Sequence, residues 1–242
     1  MRLKLIGCEV FVREVCHAVA RTPHIVDIEF TPKDAHDKSD NLRKLITEKI
    51  EETENSDIEY EAILLGFGLC GNSILGIKSS EIPLVVPRAH DCCTIFLGSR
   101  DKFKKHFGDR LSAQWSSPGY MERGESIMRD SDDEDFYYMD QSYQDLVEQY
   151  GEENAKYVWE QLHPDMEENE LIYINIPEFE HLGYEEKVKE KAEAEDKKFE
   201  KIQGNMQIIE KMISGNWDKD FLVVEPGEEI KAVYDQDRVI TT

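Results

Sequence analysis

No stretch of the 242 residues is apolar for long enough to cross a bilayer, so nothing reads as a transmembrane helix. The amino terminus, MRLKLIGCEV, reaches Glu9 too soon to hold the apolar core of a signal peptide, and a cytoplasmic protein is expected. Positive charge is scarce: 29 Lys and Arg stand against 52 Asp and Glu, a formal charge of −23. The basic footprint that nucleic acid requires is missing, and an anionic membrane surface is disfavoured for the same reason. The acidity itself speaks mainly to solubility.

Cysteine is sparse and odd in number. Five Cys without a C-x-x-C pair argue against a disulfide framework and against the local spacing of a zinc knot, leaving thiols that are buried, reactive or metal-bound. The acidic stretch from Asp130 to Asp135 lacks calcium-loop spacing and reads as a solvated loop, with Tyr137 and Tyr138 beside it as a lid or an anchor. GFGLCGN follows an apolar run like a phosphate cradle, yet the full G-x-G-x-x-G pattern and its later ribose acid are not met.

What is present alternates. LKLIGC (3–8), HIVDIEF (24–30), YEAILLGFG (60–68) and IPLVVP (82–87) read as strands. Between and after them, 9–22, 41–54 and 99–110 have helical spacing, the last capped by Ser99. This pattern predicts a parallel sheet with crossover helices, a Rossmann-like α/β fold. Residues 1–111 form this N-terminal half, 112–141 an acidic, turn-rich connection, and 142–242 a C-terminal half that is again α/β. In that last part 142–162 reads as helix, 170–177 as strand, 183–214 as a charged helix interrupted at Gly204, and 220–230 as a strand and turn. It is either a second lobe or an extension of the first sheet.

Parallel sheets take ligands at the carboxyl ends of their strands. Cys8 ends the first strand, Cys70 lies just past the third, and Cys92 follows the fourth together with His90 and Asp91. Three thiolates and an imidazole make a tetrahedral zinc set, and three thiolates also suit an iron–sulfur cluster. Asp91 either orients His90 or caps a turn. In extended chain Cys92 and Cys93 point opposite ways, so at most one of the two faces the site, while Cys16 falls on the apolar stripe of its helix. Gly68, Gly71 and Asn72 let backbone approach a small-molecule ligand, and Arg88 and Arg100 flank the same edge, either as donors to a carboxylate or phosphate or equally as surface salt-bridge partners. His36 and Asp37 are supporting candidates, and Trp217 reads as packing.

GCEVFVREV, AILLGFGLCGNSILGI, PLVVPRAHDCCTIFLGSRDKF and GNWDKDFLVVEPG together resemble the family called domain of unknown function 1638, from Cys8 to Gly227. PRAHDC…LGSR and GLCGN are the most specific pieces. The resemblance implies cysteines at the positions of Cys8, Cys70 and Cys92, with Cys16 and Cys93 incidental; Gly119-Tyr120 stands where the family tends to a Gly-Trp pair. It also implies genes placed near corrinoid-dependent methylamine or betaine methyltransferases, and with them a part in methyl-group or corrinoid metabolism.

Four functions follow as expectations. A thiolate-bound zinc binds a substrate thiol at an open position and makes it a methyl acceptor, in a methyltransferase or its accessory. An iron–sulfur cluster carries electrons. A metal-free module binds a corrinoid protein or methyltransferase through its acidic surface. Lastly, Cys92 acts as a nucleophile activated by His90, with the GLCG amides as an oxyanion hole.

Overall fold

The computed structural model describes residues 1–33, 35, 39–108, 113–123, 152, 169–233 and 239–242. The chain opens with β1 (Arg2–Cys8), a 3-10 turn (Glu9–Phe11) and α1 (Val12–Val19), then β2 (Ile25–Thr31), α2 (Ser39–Glu54), β3 (Ala62–Gly66) and β4 (Leu84–Pro87). Strand β1 lies between β2 and β3, and β4 follows β3; all four are parallel. Leu64, Leu65, Val85 and Val86 are wholly buried, as central strands covered on both faces must be. The edge strand β2 is half-exposed and carries ion pairs instead, Arg2 with Asp27 and Lys4 with Glu29. Helix α2 buries Leu42, Ile46 and Ile50, the one-face spacing of an amphipathic helix.

After β4 come α3 (Cys92–Leu97) and α4 (Arg100–Phe107). Every residue of α3 is buried, so this short helix lies inside the protein. Gly98 ends it in the left-handed region, and Ser99 starts α4 by accepting a hydrogen bond from Lys102 N at 3.1 Å, the expected cap.

A second parallel sheet contains β5 (Gln114–Ser116), β6 (Glu170–Asn175) and β7 (Lys198–Gln203) in that order. Helix α5 (Pro118–Arg123) follows β5, a 3-10 segment (Pro177–Leu182) and α6 (Tyr184–Ala194) follow β6, and α7 (Gln207–Ile213) follows β7. The chain then returns to the first sheet as β8 (Phe221–Val224), antiparallel to β4, and ends in a short hairpin of β9 (Lys231–Ala232) and β10 (Ile240–Thr241). The stretch 142–242 therefore supplies strands to both sheets. One continuous core joins Leu64 and Val86 of the first sheet to Phe96 of α3 and to Trp115, Ile174 and Ile202 of the second.

Two expectations change. Residues 183–214 are not one helix with a break: β7 lies between α6 and α7. Cys16 is exposed, because Phe11, Glu14, Val15 and Ala18 form the inward face of the turn and helix that follow β1. The expected helix 142–162 falls outside the described residues, apart from residue 152. Among the described residues no helix is long and apolar enough to cross a membrane.

Candidate functional site

In the first sheet the chain goes from β1 outward to β2 and then crosses back to β3 on the other side, so the order reverses between β1 and β3. Open α/β sheets place their ligand crevice at such a point, at the carboxyl ends of the strands. Cys8 is the last residue of β1, Cys70 lies four residues beyond β3, and Cys92 is the first residue of α3 after β4.

The loop after β3 is held against the one after β4. Leu69 N donates to Ala89 O at 2.8 Å and Cys70 N to His90 O at 3.0 Å. The approach is so close that a Cβ on Gly68 would stand 2.7 Å from Asp91 Cα, which explains the glycine there. Cys70, Gly71 and Asn72 then run through the left-handed region with φ of 44°, 62° and 69°. Such conformations cost on the order of 1 kcal/mol or more at a non-glycine residue and persist where their surroundings enforce them. Ser73 Oγ donates to Cys70 O at 2.6 Å, and Arg43 of α2 donates to Asn72 O at 2.9 Å.

Cys92 acts on both other thiols. Burial pushes Cys8 up to about 12, and the nearby Cys92 adds to the rise. Cys70 is raised well above an ordinary thiol, first by a hydrogen bond with Cys92 and then by burial, with smaller contributions from the charges of Cys92, Asp91 and Cys8. A fourth group joins them. Tyr120 of α5 lies 2.9 Å from Cys92 Sγ through its hydroxyl, and burial together with Cys92, Cys8 and Cys70 lifts its phenol in the same direction. The physical cause is shared: each additional anion would have to sit in a poorly solvated space beside the others. A bound cation reverses this, because it removes protons from coordinating thiols. Among the described residues no group of three or more His, Cys, Asp and Glu side chains stands as a metal would hold it.

The other candidates separate by position. The His90 ring is exposed and lies beside Phe103, 6.1 Å between centroids, while its carbonyl holds Cys70 N. Asp91 caps α3, its carboxylate accepting from Thr94 N at 3.0 Å and Thr94 Oγ1 at 3.1 Å. Removing this cap with Asp91→Ala is expected to lower stability by about 1 kcal/mol, read as a shift in the urea midpoint at unchanged slope. Arg88 donates to Phe221 O at 3.1 Å and to Ile240 O, which ties β8 and β10 to the end of β4, and Arg100 of α4 pairs with Asp220, just before β8, at 3.4 Å. Cys92 and Cys93 do not alternate as in a strand, because α3 begins at Cys92; both are buried. Trp217 packs on the core and donates to Met212 O at 2.9 Å. His36, Asp37, Asp130 to Asp135, Tyr137 and Tyr138 lie outside the described residues.

Sequence reasoning assigned no site role to Arg43 or Tyr120. Arg43 lies in no motif and meets the Cys70 loop only through the fold. Tyr120 was marked only by the turn-rich SSPGY and by the Gly119-Tyr120 pair of the family resemblance, and its partner is 28 residues away on the other sheet's connection.

A family model described as protein of unknown function (DUF1638) matches residues 30–213, well over half of the chain. No curated protein and no solved structure matches it.

Proposed function

The chain belongs to the DUF1638 family, whose description assigns no activity, and from its thiol site we propose a thiolate-ligated metal protein of one-carbon metabolism. Cys8, Cys70 and Cys92 bind zinc, and the metal activates a substrate thiol as a methyl acceptor. One observation carries the reading: three free cysteines from three strand ends lie at the switch point of a parallel sheet, near enough that Cys92 raises the proton affinity of both Cys8 and Cys70. Thiolates are soft donors, and a divalent ion is what makes three of them compatible in a buried space.

In the transfer itself the thiolate sulfur supplies the electron pair of the new S–C bond, and the methyl donor keeps the pair of the bond that breaks. A methyl-corrinoid protein or its methyltransferase is the partner this chemistry calls for. All five cysteines are free, which suits a reducing compartment such as the cytoplasm.

The test is elemental analysis of protein purified without air, for wild type and for Cys8→Ser, Cys70→Ser and Cys92→Ser. The expected result is about one zinc per chain in the wild type and its loss in each variant. Iron with acid-labile sulfide in place of zinc would make the site an iron–sulfur centre. A wild type free of metal in every preparation would overturn the reading in favour of a metal-free binding module.

A further inference from the structure

We propose that Cys70 and Cys92 are a peroxide-oxidisable dithiol pair, joined as a disulfide when the protein meets a peroxide and parted again by a dithiol reductant. The inference goes beyond the reading above and stands without it, because it calls on sulfur alone.

The backbone brings the two cysteines together. Cys70 N donates to His90 O at 3.0 Å and Leu69 N to Ala89 O at 2.8 Å, while Gly68 lies against Asp91. Cys70 therefore stands beside the segment that leads into Cys92, and a hydrogen bond joins the two thiols. Closing the pair needs only a short further approach, and the Cys70 loop has room for it. A Cβ on the next residue, Gly71, would meet nothing within 4 Å. Cys70 is half-buried, whereas Cys8 and Cys92 are buried, so a small oxidant reaches Cys70 first.

The other thiols are placed less well. Cys8 acts with Cys92 through charge, and the pairing of β1 with β2 and β3 fixes it in the sheet. Cys93 is wholly buried and follows Cys92 within α3, where adjacent residues do not face each other. Cys16 is exposed on α1, on the side turned from the core.

Two steps balance the reaction. The peroxide O–O bond breaks as one oxygen bonds to the Cys70 sulfur, and the other leaves as water, which gives a sulfenic acid. The Cys92 sulfur then attacks the Cys70 sulfur: the S–S bond forms, the S–O bond breaks, and a second water carries off the remaining thiol proton. Each sulfur gives up one electron, and the peroxide takes both. With the two sulfurs in one bond, neither is left as a ligand or a nucleophile, so oxidation silences the site whichever chemistry its thiols perform.

The test treats protein purified without air with a small excess of hydrogen peroxide under native conditions. Two of the five thiols are expected to be lost and to return with dithiothreitol. Peptide mapping by mass spectrometry should show Cys70 linked to Cys92, with fragmentation between Cys92 and Cys93 assigning the partner. Cys8→Ser is expected to form the same link, and Cys70→Ser to leave Cys92 unlinked. A wild type that keeps all five thiols, or carries sulfinic acid without a link, overturns the proposal. So does a link from Cys8 in place of Cys70, or one that forms only in urea. The wild-type arms need no variant to fold, and elemental analysis decides the metal reading separately.

Discussion

Gly119→Ala is expected to cost about 3 kcal/mol or more, the upper range for forcing extra volume into a packed interior. The added Cβ would lie 1.7 Å from Val10 O and 2.8 Å from Val10 C, both backbone atoms that cannot swing aside. Alanine favours a helix over glycine by roughly 1 kcal/mol, which works in the opposite direction and is too small to win. The two segments must part, and α5 carries Tyr120 away from Cys92 as they do. Urea melts of both proteins give the stability difference, and the exposure of Trp115 to a fluorescence quencher reports whether α5 has lifted. A variant with the wild-type midpoint would mean that this close approach is not kept in solution.

Glu14→Gln is expected to stabilise the protein at pH 8 by a few kcal/mol and to flatten its pH profile. Glu14 is 1% exposed on α1, and neither carboxyl oxygen has a hydrogen-bond partner among the described residues. Arg13 beside it is engaged with Glu122. Burial is the main reason that the Glu14 carboxyl is pushed up to about 8, and the charges of Glu122 and Glu178 add to it. The unfolded chain releases this proton near 4.5, the ordinary glutamate value, whereas the folded chain keeps it to about 8. Between those limits the folded state binds more protons, so stability falls as pH rises and levels off above the folded value. At about 1.4 kcal/mol per unit, the loss has an upper bound of about 5 kcal/mol.

The carboxylates of Asp27, Glu29 and Glu122 are lowered instead, and they contribute stability that is lost only as pH falls below the ordinary carboxylate range. Their window lies under that of Glu14, so melts at pH 5 and pH 8 isolate the buried acid. Equal losses between the two pH values in wild type and Glu14→Gln would reject the assignment.

The strands of the first sheet were legible because their signal is local. AILLG and LVVP are continuous apolar runs, and such runs between helical segments mean buried parallel strands. The meeting of Cys8, Cys70 and Cys92 followed from the same logic, since a rule about strand ends needs only the order of the elements. Strand β7 was hidden for a physical reason. KFEKIQ has just Ile202 buried, and its Lys and Glu residues are good helix formers. Parallel pairing with β6 overrides that preference, and charge suits an edge strand. Strand β5 is only three residues long and offers no periodicity to read. His90 and Tyr120 show where local pattern ends and tertiary contact begins. Nearness in sequence pointed to the histidine, whereas the group that touches Cys92 arrives from the other sheet through a contact that no local pattern encodes.

The return of the chain as β8 has a consequence for synthesis. Leaving the ribosome, the polypeptide presents β1 to β4 first, but the outer edge of β4 gains its partner only once Phe221–Val224 has emerged. Until then LVVP is an apolar strand with one row of backbone groups unpaired, a template for pairing with another nascent chain. The second sheet is thus an insertion that delays closure of the first, and translation of residues 88 to 220 sets how long that edge stays open.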